Sequence, residues 1–266
     1  MSRIWTIGFE KGVLANEVEA SFGTVSLVTS PVRSGNYAFR ANPTNNKGSF
    51  QYTFSETGIK QTFYRIFVRI ATAIDSLTGL MQVQGYFGDP VSEIRLASDN
   101  TLELWDDNDE TKLGSSSSAL SINTWNMVEL SLDTTTIAST VLTARLNGTQ
   151  FATGTRDISD AEDPGVFIAG IVNAGHTGDI YIDDIAINSS SGFYQNSWCG
   201  TTTVGREKYR NETRWQKLAN KNNYSSKYRS DQNVYAFGSN RRSQIRGRIG
   251  ETTQWDQMYN DYINSA

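Results

Sequence analysis

The 266-residue sequence has almost none of the residues that carry disulfide, thiol or histidine-metal chemistry. It contains one cysteine, Cys199, and one histidine, His176. A single cysteine excludes an intrachain disulfide and a cysteine-rich zinc site, and a single histidine excludes sites built from a histidine pair. The sequence therefore points away from redox enzymes and zinc proteins.

Long apolar segments are also absent. No run approaches the roughly 20 residues that span a bilayer. The opening segment MSRIWTIGFE has no basic stretch followed by an apolar one of signal-peptide length. We therefore expect a protein made in the cytoplasm, with no signal peptide or transmembrane segment and no membrane partner.

Proline is scarce, with four residues, while Gly, Ser, Thr and Asn are frequent and hydrophobic residues make up 38%. This balance favours many short strands joined by tight turns. Apolar residues alternate with polar ones in GSFQYTFS, and EIRLASDNTLELW and TARLNGTQF each have the pattern of a hairpin. No long helical pattern appears, so the predicted fold class is all-β.

The segment TFYRIFVRI predicts a strand with an unusual second face. One face is aliphatic and aromatic, as expected for a core. The opposite face carries Phe63, Arg65, Phe67 and Arg69. Two interpretations stay open: a central strand whose outer face is covered, or a surface that binds a glycan or a partner protein.

Several segments in this order resemble the concanavalin A-like, or laminin-G-like, jelly-roll family, as found in phage virion structural proteins. They are GFEKG, SGNYAFRA, FYRIFVRI, TLELW, NTWNMVELSLD, RLNGTQF and YIDDIAI, and they cover about residues 4–190. The resemblance implies an antiparallel two-sheet sandwich in residues 1–190, in which YIDDIAI returns beside the first strand. The family includes lectins, glycan-cleaving enzymes and virion modules, so function stays open.

The resemblance also implies a structural calcium ion, since related jelly rolls hold one between acidic residues of the first and last strands. The matching residues are Glu10, Asp183 and Asp184. Calcium needs six to eight oxygen ligands, which three carboxylates, carbonyls and water can supply. In the alternative, one aspartate caps backbone amides or pairs with an arginine, and the other is solvated. No other cofactor is expected.

Catalytic patterns are weak. Glycosidases of this family place two carboxylates on one strand face, whereas Glu103 and Asp106 fall on opposite faces of a predicted strand. His176 lies in AGHTG without an identifiable companion, and Asp106–Glu110 is predicted to be a solvated turn. Trp105 and Trp125 could stack on sugar rings, although such residues more often belong to the core. We therefore predict that the chain is not an enzyme.

The charge divides unequally along the chain. Residues 1–204 carry a net −10 and residues 205–266 a net +6. The second region lacks strand alternation and is rich in Asn, Gln, Arg and Tyr, so we predict a linker at 191–204 and a mostly irregular anchoring arm at 205–266 with one or two short helices. Its predicted partner-binding residues are Trp215, Tyr224, Tyr228, Arg229, Tyr235, Arg241, Arg242, Trp255, Met258, Tyr259 and Tyr262.

These observations lead to a functional hypothesis. The chain is predicted to be a non-enzymatic virion protein, a head decoration or tail component, that displays its jelly roll and is anchored by its arm to other virion proteins or to copies of itself. Nucleic acid is a disfavoured partner because six acidic residues are interspersed in the arm. The alternative is a carbohydrate-binding module, and a polysaccharide-cleaving enzyme comes third.

Overall fold

A computed structural model describes residues 3–54, 60–159, 163–190, 197–201 and 203. These residues confirm the all-β prediction, since fifteen strands are present with only two short 3-10 helices, Leu14–Asn16 and Ile137–Ser139. No helix within the described residues is long and apolar enough to cross a membrane. The strands are β1 Arg3–Ile7, β2 Ala20–Gly23, β3 Val25–Val28, β4 Ala38–Ala41, β5 Asn46–Thr53, β6 Gln61–Thr72, β7 Thr78–Gly85, β8 Pro90–Leu96, β9 Leu102–Asp106, β10 Thr111–Leu113, β11 Asn126–Asp133, β12 Thr140–Leu146, β13 Thr149–Arg156, β14 Pro164–His176 and β15 Asp179–Ser189.

The strands form two antiparallel sheets. Sheet A has eight strands in the order β13-β12-β11-β6-β15-β4-β3, with β1 also paired to β15. Sheet B has seven strands in the order β10-β9-β8-β7-β14-β5-β2. The pairing of Ile7 with Ile185 confirms that the last strand returns beside the first. Most neighbours in the sheets are distant in sequence, as expected for a sandwich with long crossovers.

The core lies between the inner faces of the two sheets. Tyr64, Ile66 and Val68 of β6 are completely buried there, as their alternation predicts. They share one cluster with Phe50 of β5 and Phe167 of β14, so aromatic rings from both sheets interdigitate. Tyr64 and Phe167 stack with ring centroids 5.7 Å apart. This burial supplies the main driving force for closing the sandwich.

Two predicted hairpins form as expected. Leu96 pairs with Leu102 across the β8–β9 turn, where Asn100 adopts a positive φ of 66°. Asn147 and Gly148 join β12 to β13 with φ of 51° and 83°. Asparagine and glycine tolerate this left-handed region better than other residues, which is why these two turns could be predicted from sequence.

The outer face of β6 is covered by a later segment of the same chain, Ser197–Thr201, which we call the clasp. The clasp packs Trp198 against Phe63 with ring centroids 5.5 Å apart. Phe63 and Arg65 are buried beneath it, while Phe67 is buried beneath the Arg33 guanidinium, 3.3 Å from its ring centre, and only Arg69 of the four is partly exposed. The first interpretation of TFYRIFVRI, a covered central strand, therefore describes this face, and the alternative of an open binding surface does not hold for the three buried residues.

Candidate functional site

Polar and aromatic side chains form a row across the outer face of sheet B. Gln82 of β7 pairs with Glu93 of β8, and Glu93 pairs with Trp105 of β9. Paired residues of antiparallel strands project to the same face, so these three side chains are neighbours. Leu102 and Leu104 point the opposite way, into the core. The row thus belongs to the face that the core does not use.

Arg95 is the centre of a compact group of charges on this face. Its Nε donates to Glu93 Oε2 at 2.5 Å, and its two Nη atoms donate to Glu110 at 2.7 and 2.9 Å. Nη2 also donates to Asp107 Oδ1 at 3.2 Å. We call these four residues the Glu93 cluster. It gathers three carboxylates around one guanidinium, so its formal charge is negative when all are ionised.

Trp105 borders the Glu93 cluster. The Arg95 guanidinium lies 4.3 Å from the centre of the indole ring, a cation–π distance. The indole Nε1 donates to Glu103 Oε2 at 3.0 Å, and Lys112 Nζ donates to Glu103 Oε1 at 2.6 Å. Trp105 is partly exposed. Its orientation is therefore held by bonds on two sides while part of the indole is left to solvent.

Glu93 is the most perturbed carboxyl of the cluster. It is completely buried, and this desolvation, together with the charge of Asp107, raises its pKa to about 7. Within the part of the chain that the structure describes, its Oε1 has no hydrogen-bond partner. That atom fits only because residue 79 is glycine, since a Cβ there would lie 1.9 Å from it. A buried carboxyl held near neutral pKa is typical of functional sites.

Sequence reasoning named Trp105 as a residue that could stack on sugars, but it missed the Glu93 cluster. Asp106–Glu110 was predicted to be a solvated turn; residues 107–110 do form a turn and its last three residues are exposed, but the prediction is wrong for Asp106, which is buried. Asp107 and Glu110 bind Arg95, and Asp106 forms a buried ion pair with Arg156 at 2.9 Å. The alternation in EIRLASDNTLELW carries the only available signal, since it places Glu93 and Arg95 on the polar face, but it shows neither their burial nor their partners.

His176 has companions that the sequence does not reveal. Its Nδ1 lies 3.2 Å from Asp75 Oδ1 and 3.1 Å from Ser76 Oγ. Desolvation raises the pKa of Asp75, but the hydrogen bonds from His176 and Thr177 outweigh it and hold that pKa below its ordinary value. Both partners contact the same nitrogen, whereas a catalytic triad uses the two ring nitrogens for different partners. This group therefore lacks triad geometry.

The two aspartates predicted to bind calcium are held by one loop. Asp183 Oδ2 accepts the backbone N–H groups of Arg33 and Ser34 at 2.9 and 3.2 Å. Asp184 accepts the Ser34 hydroxyl at 2.8 Å and pairs with the Arg33 guanidinium. A β-bulge after Asp183, with Asp184 at a φ of 48°, lets adjacent residues reach the same loop.

Glu10 approaches the same loop from the other end of the chain. It accepts the backbone N–H of Asn36 at 2.9 Å and lies directly against Gly35, where a Cβ would be 1.7 Å from Oε1. Desolvation raises the pKa of Glu10, and the nearby charge of Asp184 raises it further. The structure thus brings Glu10 and Asp184 close enough to interact electrostatically.

These residues fit calcium in part. The oxygens of Glu10, Asp184 and Ser34 are hard donors of the kind that calcium prefers. Asp183 fits least, because its carboxylate already accepts N–H bonds from Arg33, Ser34 and, at 2.7 Å, Asp184. Asp184 fits only if the ion displaces the Arg33 guanidinium that pairs with it. No three His, Cys, Asp or Glu side chains form a metal-binding group within the described residues. We keep calcium as a proposal, with Glu10 and Asp184 as its carboxylate ligands.

Calcium should stabilise the protein if this proposal holds. Free calcium at about 100 times Kd should add roughly 2.7 kcal/mol to the free energy of unfolding. The measurement is the melting temperature with calcium and then with EDTA. Glu10→Gln should abolish the increase and Glu17→Gln, a nearby carboxylate bonded to Lys11, should retain it. Absence of both heat in titration calorimetry and a shift in melting temperature would reject the site.

The predicted partner-binding residues from Trp215 to Tyr262 lie outside the described residues, as do most of the predicted linker and the whole of the predicted arm. The domain boundaries at 190 and 204 stay predictions. The clasp belongs to the predicted linker, and it packs on sheet A: Asn188 Nδ2 donates to Ser197 O at 2.8 Å, and Arg65 Nη1 donates to Gly200 O at 2.6 Å.

Comparison with known proteins shows the fold. No protein-family model matches the chain, and no curated protein does. Solved structures do match. A cellulose-induced protein has a TM-score of 0.52 at 19% identity, over 74% of this chain and 100% of that one. An endo-beta-1,4-glucuronan lyase from the fungus Trichoderma reesei has a TM-score of 0.50 at 15% identity, over 70% of this chain and 95% of that one. A carbohydrate esterase from a Shiga toxin-encoding bacteriophage has a TM-score of 0.51 at 16% identity, over 74% of this chain and 99% of that one.

At these identities the likeness concerns the fold alone, and it agrees with the predicted jelly-roll sandwich. It also requires a correction. We predicted that the chain is not an enzyme, but two of the proteins that share its fold are a lyase and an esterase. The prediction is therefore wrong. It was inferred from the fold and from missing catalytic motifs, and the same sandwich is found in enzymes.

Proposed function

We propose that this protein is a carbohydrate-related β-sandwich that binds a glycan on the outer face of sheet B, across Trp105 and the Glu93 cluster. The observation that carries the proposal is the partly exposed Trp105, held between Arg95 and Glu103 beside a row of carboxylates and amides. Indole rings stack on sugar faces, and carboxylate and amide groups accept or donate hydrogen bonds to sugar hydroxyls.

The amides beside the cluster extend this surface. Gln82 Nε2 donates to Asp107 Oδ2 at 2.6 Å, and Gln84 Nε2 donates to Gln82 Oε1 at 3.0 Å. These bonds fix the side chains before a ligand arrives, which lowers the entropy lost on binding. The fold comparison supports the proposal, because a glucuronan lyase and a carbohydrate esterase share this sandwich.

Replacement of Trp105 by alanine should weaken glycan binding about tenfold, because stacking is lost and Arg95 loses the ring that orients it. The measurement is a glycan array, followed by titration calorimetry with the soluble oligosaccharide that binds best. Trp125→Ala is the matched control, since Trp125 precedes a strand of sheet A, and it should retain wild-type affinity. Equal losses in both variants, or no glycan bound by the wild type, would contradict the proposal.

Display on a virion is a second proposal. It is supported by the opposite charges of residues 1–204 and 205–266 and by the phage origin of one protein with this fold. In this proposal the basic region anchors the chain to other virion proteins or to copies of itself, while the sandwich faces outward. A chain that ends at residue 204 should keep glycan binding and lose incorporation into particles. Normal incorporation of that shorter chain would disprove the anchor.

A further inference from the structure

A groove lies at the β2 and β5 side of sheet B, the sheet that carries the proposed glycan site. It has a volume of about 470 Å³ and is lined by residues 15–19, by Tyr52 and Thr53 of β5, and by Tyr86 of the β7–β8 turn. We call it the Tyr86 groove. Its volume falls within the range of about 300–1,000 Å³ that is usual for small-molecule sites.

Tyr86 of the groove lining faces solvent, next to a second exposed aromatic ring. Tyr86 is 48% exposed and its neighbour Phe87 is 74% exposed, with their ring centroids 5.4 Å apart. Exposed aromatic rings placed side by side usually mark a binding surface, since burying them elsewhere would be favourable. The backbone holds them in place, because Gly85 and Gly88 close the turn with a hydrogen bond of 3.0 Å.

The floor of the groove is also fixed. Tyr52 stacks face to face on Trp5, with ring centroids 4.0 Å apart and an angle of 6° between the planes. Gly165 lies under Tyr86, where a Cβ would come within 2.8 Å of the Tyr86 Cα. The groove is therefore formed by packed elements of the sandwich and does not depend on a ligand for its shape.

The charge of the groove selects against anions. Among the described residues, its lining includes the carboxylates of Glu17 and Glu19 and neither lysine nor arginine. Lys11 lies at its edge, where its Nζ donates to the Asn16 carbonyl at 3.0 Å. Carboxylate, amide and hydroxyl oxygens suit a ligand rich in hydroxyl donors, and they repel uronic acids, sialic acids and phosphates.

The groove meets the outer face of sheet B at Thr53, whereas Tyr52 packs toward the core. Thr53 pairs with Val166, and Val166 pairs with Gln84, whose amide bonds Gln82 in the proposed glycan site. Four inter-strand steps separate β9, which carries Trp105, from β5, a distance of about 19 Å at about 4.8 Å a step. An extended chain that starts at Trp105 can therefore reach the groove by running across the strands.

We propose that the Tyr86 groove is a second sugar-binding subsite, which takes a neutral sugar unit of the same glycan chain that binds at Trp105. This inference rests on the proposed function. Tyr86 stacks on the sugar ring. Oxygen atoms of Glu17, Glu19 and Asn16 accept hydrogen bonds from the hydroxyl groups of the sugar. The subsite makes affinity depend on chain length and discriminates against acidic units at that end of the chain.

The test is a glycan array that carries neutral and uronic-acid oligosaccharides of several lengths, probed with the full chain. Wild-type affinity should rise with the length of the neutral oligosaccharide, and Tyr86→Ala should remove that rise, a loss of about tenfold for the longest one. Glu19→Gln keeps the shape and removes one charge, so it should improve binding of the uronic-acid series. Ile122→Ala, at a residue 47% exposed outside the groove, is the control and should bind as the wild type.

The outcomes separate the two proposals. Loss of binding in Trp105→Ala with no effect of Tyr86→Ala at any length overturns the subsite and leaves the proposed function in place. Preference of the wild type for uronic-acid oligosaccharides at every length also overturns the subsite. If no oligosaccharide binds the wild type, both proposals fail together.

Discussion

Replacement of Arg65 by alanine should lower the free energy of unfolding by about 3 to 5 kcal/mol, the range measured when one partner of a buried charge network is removed. Arg65 is 1% exposed. Its Nε and Nη2 donate to the Asp184 carbonyl at 3.1 and 2.9 Å, and its Nη1 donates to Gly200 O at 2.6 Å. Without them, buried carbonyl groups lose their donors.

The Arg65→Ala substitution also destabilises Glu129, which pairs with Arg65 across β11 and β6. Glu129 is buried, and desolvation raises its pKa against the lowering effect of the charges of Arg145 and Arg65. Removal of Arg65 takes away one of these two compensating charges and raises the cost of keeping that carboxylate in the interior. Urea denaturation, followed by tryptophan fluorescence, measures the change.

Arg69→Ala is the matched control, because Arg69 lies on the same face of the same strand. It is partly exposed and its Nε donates to Asn123 O at 3.1 Å, so its loss should cost less than about 1 kcal/mol. A second readout is the Cys199 thiol, whose pKa burial raises to about 12. Its reaction with a thiol reagent should accelerate in Arg65→Ala only. Equal stability of the two variants would contradict this account of the clasp.

The second large effect concerns pH. The pKa of Glu93 is raised from 4.5 to about 7, first by desolvation and then by the charge of Asp107. The folded protein therefore holds a proton that the unfolded chain releases between about pH 4.5 and 7. The stabilisation that this bound proton gives the folded state is fully present below pH 4.5 and is lost as pH rises through 7. The free energy of unfolding falls by roughly 3 kcal/mol in total over this range.

Glu93→Gln should remove this loss of stability at rising pH. The free energy of unfolding of the wild type should fall by roughly 3 kcal/mol more than that of the variant between pH 4.5 and 8. Asp183, whose pKa desolvation and Asp184 also raise to about 7, contributes equally to both proteins and cancels in the comparison. Denaturant titrations across this pH range measure the difference, and parallel curves for the two proteins would disprove the prediction.

Glu103→Gln gives a control of opposite sign on the same face. Desolvation raises the pKa of Glu103, but hydrogen bonds from Lys112 and Trp105 outweigh it and lower the pKa below 4.5. Its stabilising contribution is therefore present above pH 4.5 and disappears as pH falls through the lowered value. Glu103→Gln should be less stable than the wild type at neutral pH and approach it in acid.

Much of the fold could be predicted from local patterns. Alternation placed Tyr64, Ile66 and Val68 in the core, and the Asn147-Gly148 pair marked a hairpin, because both signals depend only on residues close in sequence. The face of β6 could not be decided in the same way. Whether Arg65 is a surface residue or a buried one depends on the clasp, which lies more than 130 residues later in the chain.

The candidate sites also differ in how much of them could be predicted from residues close in sequence. Composition and local alternation predicted the all-β class. The resemblance of the motif order to the jelly-roll family implied that the last strand lies beside the first and that Glu10 approaches Asp184. Only the tertiary structure gathered Glu93, Asp107 and Glu110 around Arg95 and placed Tyr86 beside Thr53. Desolvation and cross-strand partners create such sites, and neither is a property of a residue's neighbours in sequence.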